Sequence, residues 1–165
     1  MISKLLSHRT WPFVAILVSI FMLASAHAFE IFGKMYPCDL CLKQREPYWA
    51  AIAISIAGLI LARNKPHWPV LKIVSAILGV VFLYGAGYGL YHSAVEMGLI
   101  STGCSSAGFD PTHFQSLDQP MVVGKCDEPP LVIFGVTMAN MNAFASLCFM
   151  VCSFITATKS TKSTA

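Results

Sequence analysis

Four blocks of this sequence contain no Asp, Glu, Lys or Arg: 11–29 (19 residues), 47–62 (16), 73–95 (23) and 129–158 (30). A helix needs about 20 predominantly apolar residues to cross a hydrocarbon core, with a working range of roughly 17–25. Three blocks meet that directly. The second is short, which predicts that the turn before it, Lys43-Gln44-Arg45-Glu46, is drawn to the membrane boundary. The pattern predicts an all-α membrane protein, a four-transmembrane-helix bundle forming one domain over residues 1–165. Its spans are expected at about 11–29, 47–62, 73–95 and 131–157, with longer loops at about 30–46 and 96–130 on one side.

Composition points the same way. With 56% hydrophobic and 12% charged residues, the chain lacks the charged surface that a water-soluble domain of this size needs. A net charge of +3 without any basic run gives no footing for a nucleic-acid partner and leaves the lipid bilayer as the expected surroundings. The placement of charge says more than its sum. Lys4, Arg9, Arg63, Lys65, Lys72, Lys159 and Lys162 occupy the N-terminus, the short middle link and the tail, where there is no acid. All eight acidic residues fall in or beside the other two loops. Excess Lys and Arg marks the cytoplasmic side, so both termini are expected in the cytoplasm and the acidic loops outside. Trp11 and Trp68 are expected in an inner aromatic belt, and Tyr48 and Trp49 in an outer one. The first block resembles a signal peptide in its basic start and in Ala26-His27-Ala28. It is longer than a usual signal core of about 7–15 residues and is expected to remain as a span.

The third block carries Gly85-x-x-x-Gly89, a spacing that lets another helix backbone come close, here within one bundle. The outer loop from about 97 to 128 is rich in Gly, Ser, Pro and Asp and is long for a simple connection, a length usually reserved for function or disorder.

Six cysteines fall into three pairs. Cys38 and Cys41 form a Cys-x-x-Cys motif in the first outer loop, Cys104 and Cys126 sit in the second, and Cys148 and Cys152 lie within the last span. Four of the six are on the outer face, where disulfides form and persist. Cys41 precedes Pro47, a good first-turn residue for the second helix. A thiol ahead of a helix N-terminus, with Lys43 and Arg45 nearby, is expected to have its thiolate stabilised, against the charge of Asp39. Thiolates attack and leave in disulfide exchange, so this pair suits redox turnover rather than a static clip. Taken alone, Cys104 and Cys126 read more often as a structural staple worth roughly 3 kcal/mol than as a relay, and the neighbouring Cys-x-x-Cys on the same face favours the relay. Cys148 and Cys152, four apart on one face and about 25 Å in if the helix starts at Leu131, are expected to be buried packing residues. No metal is expected, because the outer cysteines lack two short-spaced zinc pairs, and no Cys-x-x-Cys-His marks covalent haem.

A dithiol that oxidises partners must be reoxidised. In a bilayer without a nucleotide or flavin fingerprint, the natural two-electron acceptor is a lipid-soluble quinone. Arg45 beside Cys41 is suited to hydrogen-bond a quinone carbonyl, the alternative being contact with phosphate head groups. His92 and Glu96, one turn apart at the outer end of the third span, are candidates for the same pocket or for proton relay, and His27 is a weaker one.

Four spans, Cys38-Asp-Leu-Cys41 followed by Arg45, the wide pair Cys104/Cys126, Tyr91-His92-x-x-x-Glu96 and Cys126-Asp-Glu-Pro-Pro together resemble the DsbB family of disulfide bond formation proteins over nearly the whole chain. Vitamin K epoxide reductase-like proteins place the loop pair before the Cys-x-x-Cys, the reverse of the order here. The resemblance implies a thiol:quinone oxidoreductase of the bacterial inner membrane with redox-active loops in the periplasm. It serves a DsbA-like thioredoxin-fold oxidase and the membrane quinone pool, ubiquinone or menaquinone. By resemblance Cys104 accepts attack by the reduced partner and Cys126 resolves the mixed disulfide. Cys38 exchanges electrons with the loop pair, Cys41 contacts the quinone, Arg45 polarises the ring, and His92 lines the site. A dedicated oxidase for one substrate and a non-catalytic, disulfide-stapled scaffold are the rival readings.

Overall fold

The structure, a computed structural model, describes residues 6–35, 37–64, 69–101, 125–127, 129, 131–133 and 135–159. Its helices in chain order are α1 (Trp11–Gly33), a short α2 (Asp39–Lys43), α3 (Glu46–Asn64), α4 (Val70–Glu96) and α5 (Met138–Thr158). Between α4 and α5 a two-stranded antiparallel hairpin pairs β1 (Val132–Ile133) with β2 (Val136–Thr137). Among the described residues, four helical segments are long and apolar enough to cross a membrane, with α2 and α3 counted as one. Leu17, Ile60, Val80 and Phe144 point outward from the bundle. Such exposed apolar flanks suit lipid rather than water.

Lipid is as apolar as the side chains, so helices in it associate by close packing and not by the hydrophobic effect. Small residues accordingly form the seams: Ser19, Ser55, Ser75, Ser146 and Ser153 are fully buried. The tightest seam joins α4 to α5. A side chain at Gly89 would meet the Ala143 backbone at 2.7 Å, and one at Gly85 would meet Pro47 and Ser146 at 3.0–3.1 Å. The Gly-x-x-x-Gly pattern is thus consumed inside the bundle. His8 Nε2 lies 2.9 Å from the Lys159 carbonyl, so the start of α1 and the end of α5 meet at one end of the bundle.

Several sequence expectations change. The last helix begins at Met138, not near 131, because Gly135 turns the chain at φ +80 and Thr137 caps the helix through the Asn140 N–H. Cys148 is then about 15 Å into α5 at 1.5 Å per residue, mid-membrane rather than near its inner face. It faces outward, and Cys152 is partly buried; both are free thiols, so Cys148 is not the core residue expected. Trp11 is no belt residue: it is buried, and its Nε1–H donates to Ser153 Oγ at 3.0 Å. Tyr48 is likewise buried, while Trp49 faces out as a belt residue would. Trp68 lies outside the described residues.

Candidate functional site

The chain leaves α1 through Lys34, which takes a left-handed conformation at φ 51, and returns at Cys38 to start α2. Cys38 is itself the N-cap of this one-turn helix: its Sγ accepts the Cys41 N–H at 3.3 Å. Cys41 lies ahead of α3, as the sequence suggested, but inside the one-turn α2, whose N-terminus favours charge on Cys38 instead. The two sulfurs are 2.9 Å apart as free thiols. Cys38 is lowered from 9.0 to about 4, chiefly by the hydrogen bond from the Cys41 thiol. Burial opposes this; His92 and the Cys41 N–H assist it.

His92, buried near the end of α4, brings Nε2 to 3.8 Å from Cys38 Sγ and 3.8 Å from Glu96 Oε1. On the other side of the ring, Nδ1 is 2.8 Å from Gln44 Nε2, so the Gln44 amide donates there and the ring proton sits on Nε2, facing the sulfur. Cys126 completes the group. It is disulfide-bonded and buried, and Cys38 Sγ, a ring nitrogen of His92 and Cys126 Sγ all lie within 4.8 Å of one another. Val95 covers the two buried cysteines. A sulfur already in a disulfide is a poor metal ligand, whereas a thiolate beside a disulfide is the arrangement for exchange. Cys104 lies outside the described residues.

Beneath this group is a cavity of about 400 Å³ between α1 and α5, with Cys41, Gln44, Arg45 and Tyr48 on one wall and His92 and Glu96 at its end. Met22 and Phe29 of α1 and Met138 of α5 make much of it apolar. Arg45 does not snorkel away: its Nη1 is 2.8 Å from Glu30 Oε1 on α1, and both residues are mostly buried in the cavity wall. Tyr48 donates to Asn142 Oδ1 across the floor. The structure therefore brings Cys38, Cys41, Cys126, Arg45 and His92 together. His27 hydrogen-bonds the Leu23 carbonyl of its own helix and does not line the cavity.

Gln44, Tyr48 and Asn142 were not expected at the site from the sequence, which placed Tyr48 in the outer aromatic belt. Asn142 had a legible signal, an amide inside an apolar run, which is costly in a membrane without a partner or a task. Gln44 had a weaker one, three residues after Cys41 and so on the same side of a helix.

The chain is similar to "Uncharacterized protein RP370" of Rickettsia prowazekii (strain Madrid E), 27% identical over 151 residues, covering 87% of this chain and 84% of the relative. No solved structure matches it. The family model "Disulfide bond formation protein DsbB" matches residues 8–156, nearly all of the bundle, and the chain belongs to the DsbB family.

Proposed function

We propose that this protein is a thiol:quinone oxidoreductase of the bacterial inner membrane that reoxidises a periplasmic DsbA-like dithiol oxidase and delivers the electrons to a membrane quinone. The spacing of the sulfurs carries it: Cys38 Sγ lies within 4.8 Å of disulfide-bonded Cys126 and 2.9 Å from Cys41, which lines the cavity. The two redox pairs therefore need no large movement to exchange.

In this reading the partner's thiolate attacks the loop pair at Cys104 and releases Cys126. Cys126, as a thiolate, attacks Cys38 of the oxidised Cys38–Cys41 pair and releases Cys41. The partner's second thiolate then attacks its own sulfur in the mixed disulfide and releases Cys104, which attacks Cys126, re-forms the loop disulfide and releases Cys38. Each exchange breaks one S–S bond and forms another, so two electrons pass inward from the partner, which is left oxidised. The low pKa of Cys38 makes it a good leaving and attacking sulfur in both directions. His92 keeps an N–H on that sulfur, and Gln44 keeps the ring in the required tautomer.

The residues at the cavity fit a quinone head group. Its walls are largely apolar, and they carry a guanidinium whose charge is matched by Glu30. A bound quinone supplies the two-electron, two-proton sink that closes the cycle. Arg45 and His92 would hold its ring, with Cys41 against it. The periplasmic orientation of the cysteine end rests on the charge asymmetry of the loops, with basic segments in the cytoplasm.

The test uses the purified protein, a reduced DsbA-like partner and a soluble quinone analogue. Quinone reduction is expected to depend on both pairs. No reduction, or undiminished reduction in Cys41→Ser, would defeat the proposal.

A further inference from the structure

We infer that Asn142 is a hydrogen-bond donor to a quinone carbonyl, an assignment that rests on the quinone reading above and adds a second polar contact from α5. Asn142 is 8% exposed and lines the cavity. Its Oδ1 is taken by the Tyr48 hydroxyl at 2.5 Å, and the same hydroxyl lies 3.3 Å from Ser146 Oγ. Tyr48 is itself 2% exposed, so the tether is rigid and sheltered. Fixing Oδ1 fixes the other half of the amide. Nδ2, with two N–H donors, is buried and has no hydrogen-bond partner among the described residues. A buried donor without a partner is uncommon and calls for a ligand.

The chemistry of the missing partner follows from the group. An N–H pair needs an acceptor, and in a cavity with mostly apolar walls that acceptor must arrive on an apolar body. A quinone ring has this form, carrying two carbonyl oxygens that only accept. Arg45, at the head of α3, offers a donor to one, and Asn142, on α5, to the other. If Asn142 served only to glue α3 to α5, its Oδ1 would suffice and Nδ2 would have no task.

Two variants separate these roles. Asn142→Ala removes the whole amide while favouring the helix, and Asn142→Asp keeps an oxygen for Tyr48 but removes the N–H donors. Binding of a soluble quinone to the full-length protein is measured by tryptophan quenching. Hydrogen bonding to the quinone is read from the infrared carbonyl band of the bound, isotope-labelled molecule. Both variants are expected to bind about tenfold more weakly, the effect of one lost hydrogen bond, with the carbonyl band moved toward that of free quinone. Folded variants with wild-type affinity and an unmoved band would overturn the assignment while leaving the proposed function intact. Wild-type protein that binds no quinone would overturn both. If neither variant folds, Tyr48→Phe releases the tether, and a band identical to wild type there would also overturn the assignment.

Discussion

Replacing His92 with alanine should raise the pKa of Cys38 by about one to two pH units. The thiol is lowered from 9.0 to about 4 by the Cys41 thiol at 2.9 Å, against burial, with help from His92 Nε2 at 3.8 Å and the Cys41 N–H at 3.3 Å. At pH 7 a thiol near 9 is only about 1% ionised, whereas one near 4 is almost wholly thiolate. The shift is downward, so the thiolate is present above about 4 and is lost as pH falls through that value. Its contribution to the stability of the reduced protein has the same sense: complete above about 9, and declining as pH drops toward about 4. A hydrogen bond to a charged group is worth about 1.5–3 kcal/mol, and 1.36 kcal/mol corresponds to one pH unit, which gives the expected displacement. The contacts from Cys41 survive, so the midpoint should remain below the ordinary thiol value. The assay is thiolate ultraviolet absorbance of the reduced protein against pH, with Cys38→Ser as the blank. A midpoint unchanged in His92→Ala would refute the role given to the imidazole.

Further perturbations follow from contacts elsewhere. Gly89→Ala drives a methyl into the Ala143 backbone, which cannot rotate away, and should destabilise the bundle by about 1–3 kcal/mol in a denaturant titration. Gly87→Ala has open space and should be neutral or slightly stabilising; equal losses at both positions would contradict this packing. Arg45→Ala should raise KM for quinone more than KM for the protein partner, and adding Glu30→Gln should recover part of the loss by removing a carboxylate left unpaired in the cavity wall. Steady-state kinetics with each substrate varied separately would expose the opposite pattern. Trp11→Phe leaves Ser153 Oγ buried without its donor and should cost about 1–3 kcal/mol, measured as a lower thermal midpoint than wild type.

The four spans were legible because crossing lipid demands long runs without charge, a one-dimensional requirement visible in any such chain. The Cys38–Cys41 motif was legible too, since sulfur chemistry is carried by residue type and short spacing. Helix boundaries next to loops were harder. The apolar run at 129–158 does not distinguish a hairpin from a helix, and Gly135 with the Thr137 cap decided where α5 begins. Trp11 and Tyr48 were read as belt residues because an aromatic near a span end usually lies at the interface. Their hydrogen-bond partners, Ser153 and Asn142, lie 142 and 94 residues away in sequence.

By itself, then, the sequence determined that the chain is a four-span membrane bundle with a Cys-x-x-Cys at one end of the second span. Only the tertiary structure decided which sulfur receives the helix N-terminus, that Cys38 meets Cys126 and His92, and that Gln44, Tyr48 and Asn142 complete the cavity. The physical reason is one of range. Hydrophobic burial and charge exclusion act along each segment and leave a pattern in the sequence, whereas hydrogen bonds and sulfur contacts act over a few ångströms between segments. Those contacts exist only after small residues such as Gly89 and Ala143 have let the helices close on one another.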